Sequence, residues 1–295
     1  MRLARLLRRR PTPVVAPPQT WDQSWLNDDQ PAPAYPGLIS QACTEAQVRA
    51  PLYGVWTNRL GQKRLTHRKQ WEWTYILQAL DEHALIAPGK RGLGFGVGTE
   101  PITPYLASQG VIVTATDLPA DQPDVAHWSQ SGQHATTIAE MNAEGLCPAD
   151  QFTANVEFRP VDMRALPADL RDYDFTWSSC AFEHLGTLEA GMRFVTGQMA
   201  CLKPGGVGVH TTEFNVSSKV DTVRQGTNVA YRRRDLEELI GRLRAQGHHL
   251  EATFFTGDGP LDRHVDVPPF TDDHLKTILD QFVITSFGLI ITKAG

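Results

Sequence analysis

The middle of this 295-residue chain alternates short apolar, β-branched stretches with segments of helical periodicity. The strand-like stretches lie at residues 93–95, 111–116, 156–161, 174–179 and 207–212. Repeated strand-helix alternation predicts a parallel sheet that is covered by helices on both faces and joined by right-handed crossovers. Ligands of such sheets bind outside the carboxyl ends of the strands.

The end of the chain follows a different pattern. A helix with Leu236, Leu239, Ile240 and Leu243 on one face precedes two further strand candidates, at residues 250–255 and 282–292. We expect these last two strands to form an antiparallel, hairpin-like end of the sheet. The predicted fold class is therefore α/β, with a doubly wound, seven-stranded, mostly parallel sheet, an antiparallel last strand, an N-terminal extension and loop insertions.

Composition excludes several classes of protein. The formal net charge is -5 and the charged share is 21%, which describes an ordinary globular chain and gives no reason to expect nucleic acid as a partner. No apolar run approaches the roughly 18 to 20 residues that a membrane-spanning helix needs. The four cysteines are scattered without zinc-site spacing, so we expect a reduced, cytoplasmic protein without stable membrane insertion.

A glycine-rich loop joins the first strand of the alternation to the next helix. It reads Gly94-Phe95-Gly96-Val97-Gly98-Thr99-Glu100. Glycines here permit a tight turn and bring backbone N–H groups close to a ligand. A dinucleotide fingerprint that starts at Gly94 would need glycine at position 99, where this chain has Thr99.

Acidic residues follow two of the predicted strands. Asp117, with Leu118 beside it, ends the second strand, where a carboxylate can accept hydrogen bonds from ribose hydroxyls of either a nicotinamide or an adenosyl cofactor. Asp162 and Met163 follow the third strand. An ordinary strand-end cap would use such an acid.

These segments, together with residues 173–185 and Leu202-Lys203-Pro204-Gly205-Gly206, resemble class I methyltransferases that use S-adenosylmethionine, over roughly residues 90–214. Gly96 and Gly98 match the family's first motif, but Gly94 stands where the family has an acid and Glu100 where it has a third glycine. The resemblance implies that S-adenosylmethionine binds at Gly94, Phe95, Gly96, Gly98, Glu100, Asp117, Leu118, Asp162, Met163 and Ser178. Glu100 is then the candidate partner of the methionine ammonium.

Methyl transfer to a hydroxyl also requires a base. Glu183 and His184 follow the fourth strand, and His210 lies in the fifth strand with Glu213 after it. All can equally be buried, hydrogen-bonded structural residues. Some quinone O-methyltransferases bind a divalent metal through a glutamate followed by Glu and His three and four positions later. This chain has Cys180 at the first place, so we predict no metal.

We expect four regions: a disordered basic and proline-rich arm (1–20), an N-terminal wrap with a helix that is lid-like (21–88), a Rossmann-like cofactor-binding core with an insertion near 119–155 (89–215), and a C-terminal part of the same sheet with acceptor-site loops (216–295). The arm can alternatively be a short amphipathic segment on an anionic membrane surface.

The resemblance implies methyl transfer, and the aromatic wrap, the insertion and the last loop suggest a deep pocket for its acceptor. We therefore expect O-methylation of a small molecule or of a sugar or glycan precursor. A non-catalytic S-adenosylmethionine-binding module and an NAD-dependent oxidoreductase remain alternatives. The sequence leaves the oligomeric state open.

Overall fold

The computed structural model describes residues 23–27, 29–119, 137–270 and 273–295. The basic, proline-rich arm at residues 1–20 lies outside these ranges, as does most of the first half of the insertion at 119–155. Among the described residues, no helix is both long and apolar enough to cross a membrane.

A single mixed sheet organises the described part of the chain. Its strands are β1 Gln41–Ala42, β2 Arg91–Phe95, β3 Ile112–Asp117, β4 Val156–Pro160, β5 Tyr173–Ser179, β6 Leu202–Asn215, β7 Thr277–Leu279 and β8 Phe282–Thr292. The spatial order is β1-β8-β6-β5-β2-β3-β4, and β7 pairs with β8. Strands β2 to β6 run parallel, whereas β8 is antiparallel to β6, β1 and β7. The structure confirms the α/β class with an antiparallel last strand.

Helices cover both faces of the sheet, as the alternation predicts. They are α1 Glu45–Arg49, α2 Pro51–Arg59, α3 Arg68–Glu82, α4 Ile102–Ser108, α5 Ile138–Met141, α6 Ala149–Asn155, α7 Leu188–Gly197, α8 Arg233–Ala245 and α9 Pro260–Arg263. Short 3-10 turns lie at Ser24–Leu26, Phe182–His184 and Gln198–Cys201.

Strand alternation divides the core into two layers. On one face, Trp177, Val209 and Ile290 pack with α2, α3 and α4. On the other face, Phe95 and Leu289 pack with α7 and α8. Because neighbouring residues of a strand point to opposite faces, one sheet supplies both layers.

Helix α3 belongs to the core although it precedes the parallel strands in the sequence. Trp71, Tyr75 and Ile76 are fully buried in it. The ring of Tyr75 packs so closely on Gly288 of β8 that any side chain at position 288 would overlap it. The helix is therefore fixed against the sheet through both shape and apolar burial.

Two details of the C-terminal half differ from the prediction. Residues 250–255 form no strand and contribute an isolated bridge between Ser40 and Ala252. The partners of β8 are instead β7, across a two-residue turn with Asp280 in the left-handed region, and the two-residue β1. The described sheet consequently has eight strands rather than seven. A two-residue strand carries no periodicity by which a sequence could reveal it.

Candidate functional site

The glycine loop turns sharply after β2. Gly96 and Gly98 both have positive φ angles, 59° and 50°, which glycine adopts without steric cost. The N–H of Gly98 donates to Asp117 Oδ2 at 3.1 Å, and the N–H of Val97 donates to the carbonyl of Thr116 at 3.1 Å. The loop is thus held against the carboxyl end of β3 by hydrogen bonds to backbone and carboxylate.

Gly94 departs from the family motif for a visible packing reason. A Cβ atom at this position would overlap the ring of Trp177 and the side chain of Val97. An acidic side chain at position 94 would need this same space. The indole of Trp177 therefore occupies the volume into which an acid at residue 94 would project.

Asp117 lies at the junction of three strands. Its Oδ2 accepts from Gly98, its Oδ1 accepts from the N–H of Leu118 at 2.8 Å, and its own carbonyl accepts from Val161 at 2.8 Å. Its side chain is therefore oriented by the glycine loop and by the chain that follows β3.

Asp162 and Met163 reach the same edge. Asp162 forms a two-pronged ion pair with Arg164, at 2.9 Å from Nη2. Burial tends to raise the pKa of Asp162, but the hydrogen bonds from Arg164 outweigh this effect and lower it. A Cβ at Gly96 would lie 3.8 Å from Met163 Sδ and 2.9 Å from Ala181 Cβ. The loops after β2, β4 and β5 therefore converge around the backbone of Gly96.

Glu100 makes an ion pair that its sequence position did not reveal. Lys69 of α3 lies 2.6 Å from Glu100 Oε1 and 3.0 Å from Glu72 Oε2, and it also donates to Ser179 Oγ at 3.0 Å. Burial raises the pKa of Glu100 despite the charge of Lys69, and the charge of Glu72 also raises it. Glu100 lies beside the loop as predicted, but its carboxylate faces a lysine.

Ser178 and His210 lie in the sheet interior. Ser178 Oγ is 2.9 Å from His210 Nδ1, both residues are fully buried, and the imidazole packs edge-on against Phe194. Burial lowers the pKa of His210 to about 3. Their side chains face the layer under α7, so this position does not favour the predicted roles of Ser178 at the cofactor or of His210 as a base.

Glu183 and His184 form the short 3-10 turn after β5. His184 Nδ1 donates to the carbonyl of Thr227 at 2.6 Å, because a carbonyl oxygen can only accept, so Nε2 is the nitrogen that carries the lone pair when the imidazole is neutral. Glu183 is fully buried, and its Oε2 accepts from Thr212 at 3.2 Å. Burial and the nearby charge of Glu213 raise the pKa of Glu183 to about 8.

Two cations from the first turn of α3 complete the site. Both terminal nitrogens of Arg68 donate to Glu213, Nη1 to Oε2 at 2.9 Å and Nη2 to Oε1 at 2.8 Å. Nη1 also lies 3.7 Å from Glu72 Oε1. Cations at a helix N-terminus oppose the helix dipole, so they need such partners. Burial tends to raise the pKa of Glu72, but Lys69 and Arg68 lower it. We call these side chains the charged cluster: Arg68, Lys69, Glu72, Glu100, Glu183 and Glu213.

The sequence did not predict Arg68, Lys69 or Glu72 as residues of the site. The one signal available was the pair of cations directly before an apolar helical face, which is an unfavourable place for them. Two open cavities, of about 390 and 270 Å³, lie elsewhere on the described part of the chain, and no predicted site residue lines either of them.

No protein-family model matches the sequence, and no curated protein matches it. Solved structures of methyltransferases are similar at low identity. A 1,6-didemethyltoxoflavin-N1-methyltransferase from Burkholderia thailandensis is 17% identical, with a TM-score of 0.44 over 82% of this chain and 81% of its own. A magnesium protoporphyrin IX methyltransferase from Synechocystis is 12% identical, with a TM-score of 0.44 over 83% and 92%.

A Galdieria sulphuraria protein, assigned as a sarcosine dimethylglycine methyltransferase, is 18% identical with a TM-score of 0.34. The match covers 50% of this chain and spans less than half, 46%, of that protein. Identities and TM-scores as low as these do not establish an activity for this chain.

Proposed function

We propose that this protein is an S-adenosylmethionine-dependent methyltransferase whose acceptor is a hydroxyl group of a small molecule or of a sugar or glycan precursor. The observation that carries the proposal is the meeting of four sequence motifs at one edge of the sheet. Gly98 and Asp117 are joined by a 3.1 Å hydrogen bond, and a side chain at Gly96 would touch both Met163 and Ala181. This is the edge where α/β sheets bind ligands.

The residues at this edge suit an adenosyl cofactor. A Cβ at Gly96 would lie 2.9 Å from Ala181 Cβ, so glycine at this position lets the loop after β5 pack against the turn and keeps the main chain exposed to a ligand rather than covered by a side chain. The carboxylate of Asp117 can accept hydrogen bonds from ribose hydroxyls, and Asp162 with Met163 offers an acid and an apolar surface to adenine. S-adenosylmethionine would supply the electrophilic methyl group. Phe95 ends β2 with its ring buried in the core against Phe194, so only its backbone is offered to the cofactor, and Leu118 follows β3 directly.

The charged cluster lies beside the cradle and suits the positively charged end of such a cofactor. Its four carboxylates outnumber its two cations: Arg68 pairs with Glu72 and Glu213, and Lys69 pairs with Glu72 and Glu100. Glu183 lies 4.0 Å from His184 instead. An excess of buried negative charge favours a cationic ligand electrostatically. Glu100, which pairs with Lys69 in this structure, is the carboxylate that we assign to the ammonium group of such a cofactor.

His184 is the group that we assign to proton removal from the acceptor. Its Nδ1–H is fixed by Thr227, and its Nε2 lies 4.0 Å from Glu183 Oε1. A neutral imidazole in this tautomer can accept the hydroxyl proton as the oxygen attacks. Glu183 can then stabilise the imidazolium through its carboxylate.

Ligand binding tests the cofactor assignment. We expect S-adenosylhomocysteine to bind in calorimetry and NAD not to bind, and we expect mass spectrometry of the freshly purified protein to detect an adenosyl ligand. Binding of NAD instead would replace the proposal by an oxidoreductase. Binding of S-adenosylhomocysteine without methyl transfer to any of a panel of hydroxylated acceptors would favour a non-catalytic module.

A substitution tests the base. His184→Ala should lower turnover by about 10²- to 10⁴-fold while leaving the affinity for S-adenosylhomocysteine unchanged. His249→Ala removes an exposed histidine and serves as the control. Full activity of the His184 variant would reject the base assignment without affecting the cofactor assignment.

A further inference from the structure

Three potential metal ligands from two strand ends meet inside the charged cluster. Cys180 Sγ and one carboxylate oxygen each of Glu183 and Glu213 lie within 4.8 Å of one another. Tetrahedral zinc holds sulfur and oxygen donors at about 2.0–2.3 Å, which places the donors roughly 3.5 Å apart. Small side-chain rotations would therefore bring all three atoms onto a single ion.

An unsatisfied oxygen points to a ligand at this position. Glu183 is fully buried, and its Oε1 makes no hydrogen bond to any described residue. Buried carboxylate oxygens without a partner are costly, so native proteins seldom keep one. Because this glutamate also contributes one of the three donor atoms, an ion bound between them would satisfy the oxygen.

Charge balance favours a divalent ion over a monovalent one. With all carboxylates ionised, the four acids Glu72, Glu100, Glu183 and Glu213 exceed the two cations Arg68 and Lys69 by two negative charges. Both cations are already engaged, at 2.8 Å between Arg68 and Glu213 and at 2.6 Å between Lys69 and Glu100. The nearest basic nitrogen to Glu183 Oε1 is His184 Nε2, at 4.0 Å.

Arg68 is compatible with a metal at this place. Each oxygen of Glu213 accepts a hydrogen bond from the guanidinium, which holds the carboxylate in one orientation. Metal-bound carboxylates are commonly hydrogen-bonded by a neighbouring group that fixes their orientation. The orientation of Cys180 is likewise fixed, by its backbone. This residue has a positive φ of 47°, and its N–H donates to Thr211 Oγ1 at 3.0 Å.

We propose that Cys180, Glu183 and Glu213 bind one zinc ion, with the fourth position open to water or to an oxygen of the acceptor. A thiolate with two carboxylates is a mixed donor set that suits zinc, whereas magnesium prefers oxygen donors alone. This site departs from our expectation that the protein binds no metal. That expectation considered neighbours along the chain, and Glu213 comes from another strand. The site does not depend on the proposed methyl transfer.

Metal binding to the untagged, chelator-treated full chain tests the site. We expect elemental analysis to find one zinc per chain after reconstitution and dialysis. Competition with a chromogenic zinc chelator should show that Glu183→Gln and Cys180→Ser each lose more than the roughly 10- to 100-fold typical of an outer-shell change. Glu189→Gln and Cys201→Ser, which lie outside the trio, should bind zinc as the parent protein does.

A spectroscopic measurement on the unmodified protein covers the case in which a variant fails to fold. Cobalt in place of zinc should give a thiolate-to-cobalt charge-transfer band, and stoichiometric zinc should abolish it. Absence of that band, absence of stoichiometric zinc, or equal zinc affinity in the folded Cys180, Glu183 and control variants would each overturn the proposal. Loss of S-adenosylhomocysteine binding would not bear on it, because zinc is measured alone.

Discussion

The two halves of the candidate site are built from different kinds of contact. At the ends of β2, β3 and β4, the contacts are short-range and involve backbone groups: Gly98 and Asp117 are 19 residues apart. At the ends of β5 and β6, side chains from α3 reach across the chain, with Arg68 145 residues from Glu213 and Lys69 110 residues from Ser179. The first half is encoded in local motifs, whereas the second exists only once the chain has folded.

The largest effect is expected when a cation is removed from the second half of the site. Arg68→Met should lower the free energy of unfolding by about 3 to 5 kcal/mol, because it leaves Glu213 with a buried, uncompensated charge and leaves Glu72 with Lys69 as its one remaining cation in the cluster. Urea denaturation measures the effect. Arg164→Met, which breaks the more exposed pair with Asp162, should cost about 1 kcal/mol or less. Equal losses in the two variants would mean that the long-range cluster contributes no more to stability than a surface pair.

A smaller effect is expected in the first half, and on binding rather than on folding. Asp117→Ala should weaken binding of S-adenosylhomocysteine by about 1.5 to 3 kcal/mol, through loss of charge-assisted hydrogen bonds. Asp169→Ala removes an exposed acid and is the calorimetric control. An unchanged affinity in the Asp117 variant would leave the glycine loop without its proposed ribose partner.

The smallest effect distinguishes a core residue from a site residue. Ser178→Ala should lower the free energy of unfolding by about 1 to 2 kcal/mol, because His210 Nδ1 loses its hydrogen bond within the core. The affinity for S-adenosylhomocysteine should stay the same in calorimetry. A selective loss of that affinity would instead restore Ser178 to the cofactor site, where the sequence had placed it.

The same contrast explains what the sequence could predict. Strand β8 at Phe282–Thr292 was predicted at its observed bounds, and the parallel strands were found within a few residues, because buried strands leave continuous apolar runs. Asp117 was placed at the loop because the end of a strand is readable from the pattern. By contrast, β1 has two residues, and its pairing with β8 depends on contacts across almost the whole chain.

The direction in which a strand residue points was harder to predict than its position. Ser178 and Ser179 are neighbours at the end of β5, yet Ser178 faces His210 while Ser179 faces Glu72 and Lys69. A shift of one residue in strand register exchanges the two faces. The motif at residues 173–185 pointed to the end of β5, but only the register of β5 in the sheet decides which of the two serines faces the charged cluster.

The burial of α3 also limits how this protein can be divided. A fragment that starts at Lys90 would keep the glycine loop and every parallel strand, and by sequence motif it would look self-sufficient. It would nevertheless lose the indole and phenol rings that seal one face of the sheet, and it would leave Glu100 and Glu213 without the cations that pair with them. Chimeras of this chain with another α/β protein should therefore carry α3 together with the ends of β5 and β6 as one unit.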